Sequence, residues 1–196
     1  MRADLDIINE WVQPKSRVLD LGCGEGELLS HIIGSKEVQG YGLEIDAAHI
    51  NQCIESGVPV LEHDLDKGLG NFDNESFDLV VMTHALQQFR RPDLLLDEML
   101  RVGKECIITF PNFGHWRNRI HLGLKGHMPV SEFLPYNWYD TPNIHFCTFK
   151  DFEHLCQEKG IKILRSAAVD GQLRDRWWIK AMPNLFSETA IFHVSR

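Results

Sequence analysis

Val18-Leu19-Asp20-Leu21-Gly22-Cys23-Gly24-Glu25-Gly26-Glu27-Leu28 is the stretch on which the fold turns. It reads as an apolar strand over 17–23, a turn of three alternating glycines, and the start of a helix over 25–33 with Gly34 as its C-cap. Such a turn needs glycine because its backbone visits positive φ and because a ligand must approach the main chain closely. Working outward, the strand-then-helix rhythm repeats. Residues 38–45 form a second strand. Asp46 then caps a helix with Ile50, Cys53 and Ile54 on one face, ending at Gly57. A third strand covers 58–63. A fourth, over 77–83, is almost wholly apolar, as a strand covered on both faces should be. Pro92 opens a helix carrying Leu94, Leu95, Met99 and Val102 up to Gly103, and 105–110 is a fifth strand.

About forty residues, 111–150, follow with many prolines, glycines and aromatics and weak periodicity. A stretch of this length reads as a lid or a partner surface inserted in one domain spanning 1–196. Regular structure resumes where Thr148 and Asp151 suggest a capping box, with Phe152, Leu155 and Cys156 lining a helix that ends at Gly160. Strands over 161–169 and 189–194 close the chain, separated by 170–188. Alternation of this kind implies a mostly parallel sheet with right-handed crossovers and helices on both faces.

The composition excludes several classes. With 196 residues, 43% hydrophobic and 24% charged, the chain is globular and needs neither metal nor disulfide to fold. No apolar run reaches the ~20 residues of a membrane helix. Asp4, Asp6 and Glu10 interrupt any signal-peptide core. Five cysteines at spacings of 30, 53, 41 and 9 read as reduced thiols, so a cytoplasmic location is expected. A net charge of −8 argues against nucleic acid and anionic membrane as partners. Residues 1–100 hold 7 basic and 19 acidic side chains, whereas 101–196 hold 13 and 9, so the second half suits either a partner or anionic co-substrate, or is a solvated surface of uneven charge.

The glycine turn and its neighbours define a ligand class. Dinucleotide sites use G-x-G-x-x-G and set a pyrophosphate on the helix N-terminus. Here the third glycine comes one residue early, and Asp20, Glu25 and Glu27 crowd the loop. At ~4 Å and an effective dielectric near 20, each like-charge contact costs up to ~4 kcal/mol. A pyrophosphate is therefore disfavoured, and with it a dinucleotide oxidoreductase; a ligand bearing an ammonium and a sulfonium, S-adenosylmethionine, fits. Glu44 at the end of strand two can accept from both ribose hydroxyls. Asp64 at the end of strand three can accept from the adenine amino group, with Ile45 and Leu65 against the ring. The carboxyl ends of adjacent strands share one crevice. The expected contact set is Asp20, Gly22, Cys23, Gly24, Gly26, Glu44, Ile45, Asp64, Leu65 and Thr83.

Asp20-x-Gly22-x-Gly24-x-Gly26 with Glu44 and Asp64 resembles the class I S-adenosylmethionine-dependent methyltransferases. That resemblance implies a three-layer αβα, Rossmann-like fold and a seven-stranded sheet of order 3-2-1-4-5-7-6 with strand 7 antiparallel. Leu86-Gln87-Gln88, 99–103, Phe110-Pro111-Asn112-Phe113-Gly114-His115-Trp116-Arg117-Asn118-Arg119 and Trp138-Tyr139-Asp140-Thr141-Pro142-Asn143-Ile144-His145 resemble the MetW family of methionine biosynthesis proteins along nearly the whole chain. The resemblance implies a role beside a homoserine O-acyltransferase as a heteromeric partner. An independent methyltransferase acting on a small molecule is the alternative.

For methyl transfer, His84 at the mouth of strand four is either a candidate base or a polar contact to the cofactor or cap of the next turn, and Cys23 is either a nucleophile or a small packing residue. No Asn-Pro-Pro-Tyr string follows strand four, which reads Thr83-His84-Ala85-Leu86. His115, His121, His127, His145 and Cys147 match no zinc spacing, so no metal is expected. Trp116, Arg117, Arg119, Lys125, Trp138, Tyr139, Trp177 and Trp178 supply either interface anchors or the core of a lid over the crevice.

Overall fold

The computed structural model describes residues 3–131, 134–170 and 177–196. In chain order these form α1 (Ala3–Trp11), β1 (Arg17–Leu21), α2 (Glu27–Lys36), β2 (Gln39–Glu44), α3 (Ala47–Glu55), β3 (Val60–Glu62), β4 (Phe77–Thr83), α4 (Pro92–Val102), β5 (Gly103–Pro111), α5 (Trp116–Lys125), α6 (Phe149–Glu158), β6 (Lys162–Val169), α7 (Trp177–Ala181), α8 (Pro183–Phe186) and β7 (Thr189–Ser195). Short 3-10 turns lie at Leu65–Lys67 and Leu86–Gln88.

The seven strands make one sheet of order β3-β2-β1-β4-β5-β7-β6. The pairs among β1 to β5 are parallel, and β7 runs antiparallel to both β5 and β6. This is the Rossmann-like methyltransferase topology. The pleat explains the near-continuous apolar strands, because successive side chains leave opposite faces. Leu19, Leu21, Val80, Met82, Ile108, Phe110 and Phe192 enter one core with α4 and α6. Val18, Leu79, Val81, Ile107 and Ile191 enter the other with Leu5, Ile8 and Val12 of α1 and Leu28, Leu29 and Ile32 of α2.

Several caps form as the pattern predicts. Asp46 accepts from the backbone of Ala48 and His49, and Thr148 and Asp151 make a reciprocal capping box. Others differ. Helix α2 runs past Gly34 to Lys36, and Glu37 takes the left-handed C-cap with φ 55°. Ile54 and Leu94 are exposed; Cys53 is the buried residue of α3, and Leu96 and Leu100 join Leu95, Met99 and Val102 on the buried side of α4. Four helices stand outside the expected rhythm: α1, whose Trp11 stacks on His193 at 5.8 Å, α5 inside the supposedly irregular segment, and the short α7 and α8 between β6 and β7. Residues 132–133 of that segment and 171–176 of the stretch before β7 lie outside the described residues.

Candidate binding crevice

The glycine turn is held on β2. Both Gly22 and Cys23 donate their amides to the Leu43 carbonyl, at 2.8 and 3.1 Å. Gly22, Gly24 and Gly26 have φ of 68°, 54° and 77°, so the alternation of glycine follows an alternation of left-handed backbone. The glycines do different jobs. A Cβ on Gly26 would come within 3.0 Å of Cys53 Sγ, so this glycine lets α3 pack under the loop. A Cβ on Gly24 would meet nothing within 4 Å, so this glycine borders open space into which a ligand can descend. Sequence reasoning passed over Gly42, where a Cβ would lie 2.4 Å from Cys23 Sγ.

Glu44 is nearly buried and tied to main chain on both oxygens. Oε2 accepts from Gly24 N–H at 2.9 Å, while Oε1 accepts from Ile45 and Asp46 at 2.8 and 3.0 Å. The carboxylate therefore clamps the turn after β1 to the turn after β2. Asp20, one residue before the end of β1, is buried, and like Glu44 its charge acts on Cys23. Burial raises the Cys23 thiol pKa, and the charges of Asp20 and Glu44 and the nearby Cys53 raise it further; burial likewise raises Cys53. The two sulfurs lie 3.9 Å apart, and Cys53 Sγ–H donates to the Gly24 carbonyl at 3.1 Å. Burial and these neighbours disfavour a Cys23 thiolate, and its sulfur packs against Cys53 and Gly42.

Beyond β2 and β3, Ile45, Glu62, Asp64, Lys67 and Asn71 border an open cleft of about 580 Å³. Ile45 is 60% exposed there, available to cover an aromatic ring, whereas Leu65 is 7% exposed and turned into the core. Leu65 packs on the core at the 3-10 turn that Asp64 caps, and lines the adjoining opening with Phe89 and Arg91. Thr83 ends β4 opposite Thr109. His84 follows with φ 54°, unusual for a residue with a side chain, and its amide donates to the Thr109 carbonyl at 3.0 Å. Its Nε2 meets Asp4 Oδ2 of α1 at 2.9 Å. No sequence signal identified Asp4.

The segment after β5 is organised by Asn112, almost fully buried. Its Nδ2 donates to the carbonyls of Ser187 (2.9 Å) and Asn184 (3.2 Å), and its Oδ1 accepts from Gly114 and Phe149. One side chain thus ties β5 to α6 and α8. Gln87 accepts from the amides of Ile144 and His145 and donates to the Pro111 carbonyl, which straps the end of the segment across the turn after β4. Burial and the neighbouring Arg117 lower the pKa of His115 to about 4, so it is neutral. His121 and His127 meet at 3.3 Å, but no group of three or more metal-ligating side chains forms among the described residues. No described helix is long and apolar enough to cross a membrane.

Comparison with known proteins agrees with this architecture. The family described as "Methionine biosynthesis protein MetW" matches residues 2–194. A curated relative, the bifunctional methionine biosynthesis protein MetXA/MetW of Rhodopirellula baltica, is 33% identical over all of this chain, which spans 33% of that relative's length. Among solved structures, an S-adenosylmethionine-dependent methyltransferase from Mesorhizobium loti superposes with a TM-score of 0.71 at 16% identity, covering 99% of this chain and 98% of that one. Phosphoethanolamine N-methyltransferase 2 of Haemonchus contortus, in complex with S-adenosyl-L-methionine, gives 0.69 at 15% identity, covering 98% of this chain and 52% of that one. At such identities the structural likeness speaks for the fold alone.

Proposed function

This chain belongs to the MetW family of methionine biosynthesis proteins, and on that premise we propose that it is an S-adenosylmethionine-binding accessory subunit of a homoserine O-acyltransferase. The observation that carries the reading is the relative in which MetXA and MetW share one polypeptide. A fused pair keeps its two parts at high effective concentration, which a separate subunit must match by binding.

The crevice supports the nucleoside half of the reading. Gly24 offers open backbone, Glu44 and Asp20 supply negative charge for a cationic ligand, and Ile45 and Asp64 border one cleft for a base. Gly22, Cys23 and Gly26 shape the turn, and Thr83 closes the β4 side. When bound, the nucleoside supplies an activated methyl group. The protein's own contribution is to orient it and report its presence. S-adenosylmethionine is made from methionine, so a site that senses it would link acyl transfer to the supply of the product, provided the two states of the complex bind it unequally.

The test is homoserine acylation by the acyltransferase of the same organism, with and without this chain, across S-adenosylmethionine concentrations. Strong dependence on the chain is expected. Equal rates without it at every concentration would defeat the reading.

A second reading, a methyltransferase acting on a small acceptor, draws on the Asp4–His84 pair. With Asp4 ionised, Nε2 carries the shared proton and Nδ1 holds the lone pair that would take a proton from an acceptor. Conversion of S-adenosylmethionine to S-adenosylhomocysteine against a metabolite extract, lost in His84→Ala, is its signature.

A further inference from the structure

Helix α5 is built inside out. An ordinary surface helix turns its apolar stripe to the core. Here Asn118 is the buried residue, while Trp116, Ile120 and Leu124 are 38%, 50% and 84% exposed. Those three recur every four residues and so share one stripe, on the far side from Asn118. Gly123 lies beside that stripe, and a Cβ there would meet nothing within 4 Å. The helix carries Arg117, Arg119 and Lys125 and no acid, and residues 112–131 contain no Asp or Glu at all in a chain of net charge −8. The Arg117 guanidinium sits 5.5 Å over the Trp116 ring. Further along the segment, Trp138 and Tyr139 form a largely exposed T-shaped pair with centroids 5.7 Å apart.

We propose that the outer stripe of α5 is the surface on which the acyltransferase docks; this rests on the accessory-subunit reading above. An exposed apolar stripe ringed by one sign of charge marks an interaction site, and Trp, Tyr and Arg are the residues that anchor one. The occupant is a protein surface that is apolar at its centre and carboxylate-rich at its rim. A second copy of this chain fits poorly, because a two-fold contact would set Arg117, Arg119 and Lys125 against their own equivalents. A membrane is the other surface such a helix can meet, but the relative that joins the MetW part to a MetXA part favours protein.

The experiment mixes the full chain with the acyltransferase of the same organism and follows complex formation by sedimentation. The variants are Leu124→Asp, Ile120→Asp and Lys125→Glu, with Ile54→Asp on α3 as an exposed control. Binding of S-adenosylmethionine and thermal unfolding are measured on each. At least tenfold weaker association for the three α5 variants is expected, with Ile54→Asp, nucleoside binding and unfolding unchanged. Wild-type-like association of Leu124→Asp and Ile120→Asp would overturn the surface while leaving the subunit reading intact. No association of the wild type would overturn that reading itself. Self-association, or flotation with phosphatidylserine vesicles, abolished by Leu124→Asp would reassign the stripe to a second copy or to a membrane.

Discussion

Asp4 and His84 are eighty positions apart and meet at 2.9 Å, joining the first turn of α1 to the mouth of β4. The carboxylate is buried, and the imidazole springs from left-handed backbone that only its surroundings can hold. The pair fixes α1 over the end of the sheet next to the crevice.

His84→Ala removes a charge-assisted hydrogen bond from a buried carboxylate and should cost about 1–3 kcal/mol of stability. His84→Gly loses the same bond but relieves the positive φ. It should unfold about 1 kcal/mol harder than His84→Ala in urea titrations. Equal stability of the two would mean that the backbone at 84 is not strained.

Glu44 accepts three backbone amides, so its loss acts on fold and ligand together. Glu44→Ala should lower S-adenosylmethionine affinity by about 1–3 kcal/mol, and the unfolding free energy by a similar amount. Calorimetric titration and chemical denaturation read the two effects separately. Unchanged affinity would remove Glu44 from the nucleoside site.

Gly24 and Gly42 should separate binding from folding. Gly24→Val keeps an unobstructed Cβ and costs about 1–2 kcal/mol for its left-handed backbone, but fills the space the ligand needs, so binding disappears from a folded protein. Gly42→Ala drives a methyl to 2.4 Å from Cys23 Sγ and should destabilise by about 1–3 kcal/mol through overpacking. The reverse ranking, in paired melting and binding curves, would contradict the assigned roles.

His115 should set part of the acid limb of stability. Its folded pKa is about 4, below the 6.5 of an unperturbed imidazole, because of burial and Arg117. Between those values the unfolded chain binds the extra proton, so stability is full above pH 6.5 and declines as pH falls toward 4. His115→Gln should flatten that decline in a pH series of melting temperatures. An unaltered slope would show that His115 does not carry it.

The order of strands and helices could be read along the chain because its signals are local: apolar runs, glycine turns, and caps such as Asp46 and the Thr148–Asp151 box, each acting within a few residues. The positions of Asp20, Glu44 and Asp64 within β1, at the end of β2 and just past β3 follow from the same local signals. Helix α5 was not, because its apolar residues face outward and glycines flank and interrupt it. Only the tertiary structure paired Asp4 with His84, set three backbone amides on the Glu44 carboxylate, packed Leu65 against the core, and made Asn112 the tie between β5, α6 and α8. Those relations depend on which distant backbone groups arrive beside a side chain once the sheet has closed, and spacing along the sequence carries no record of that.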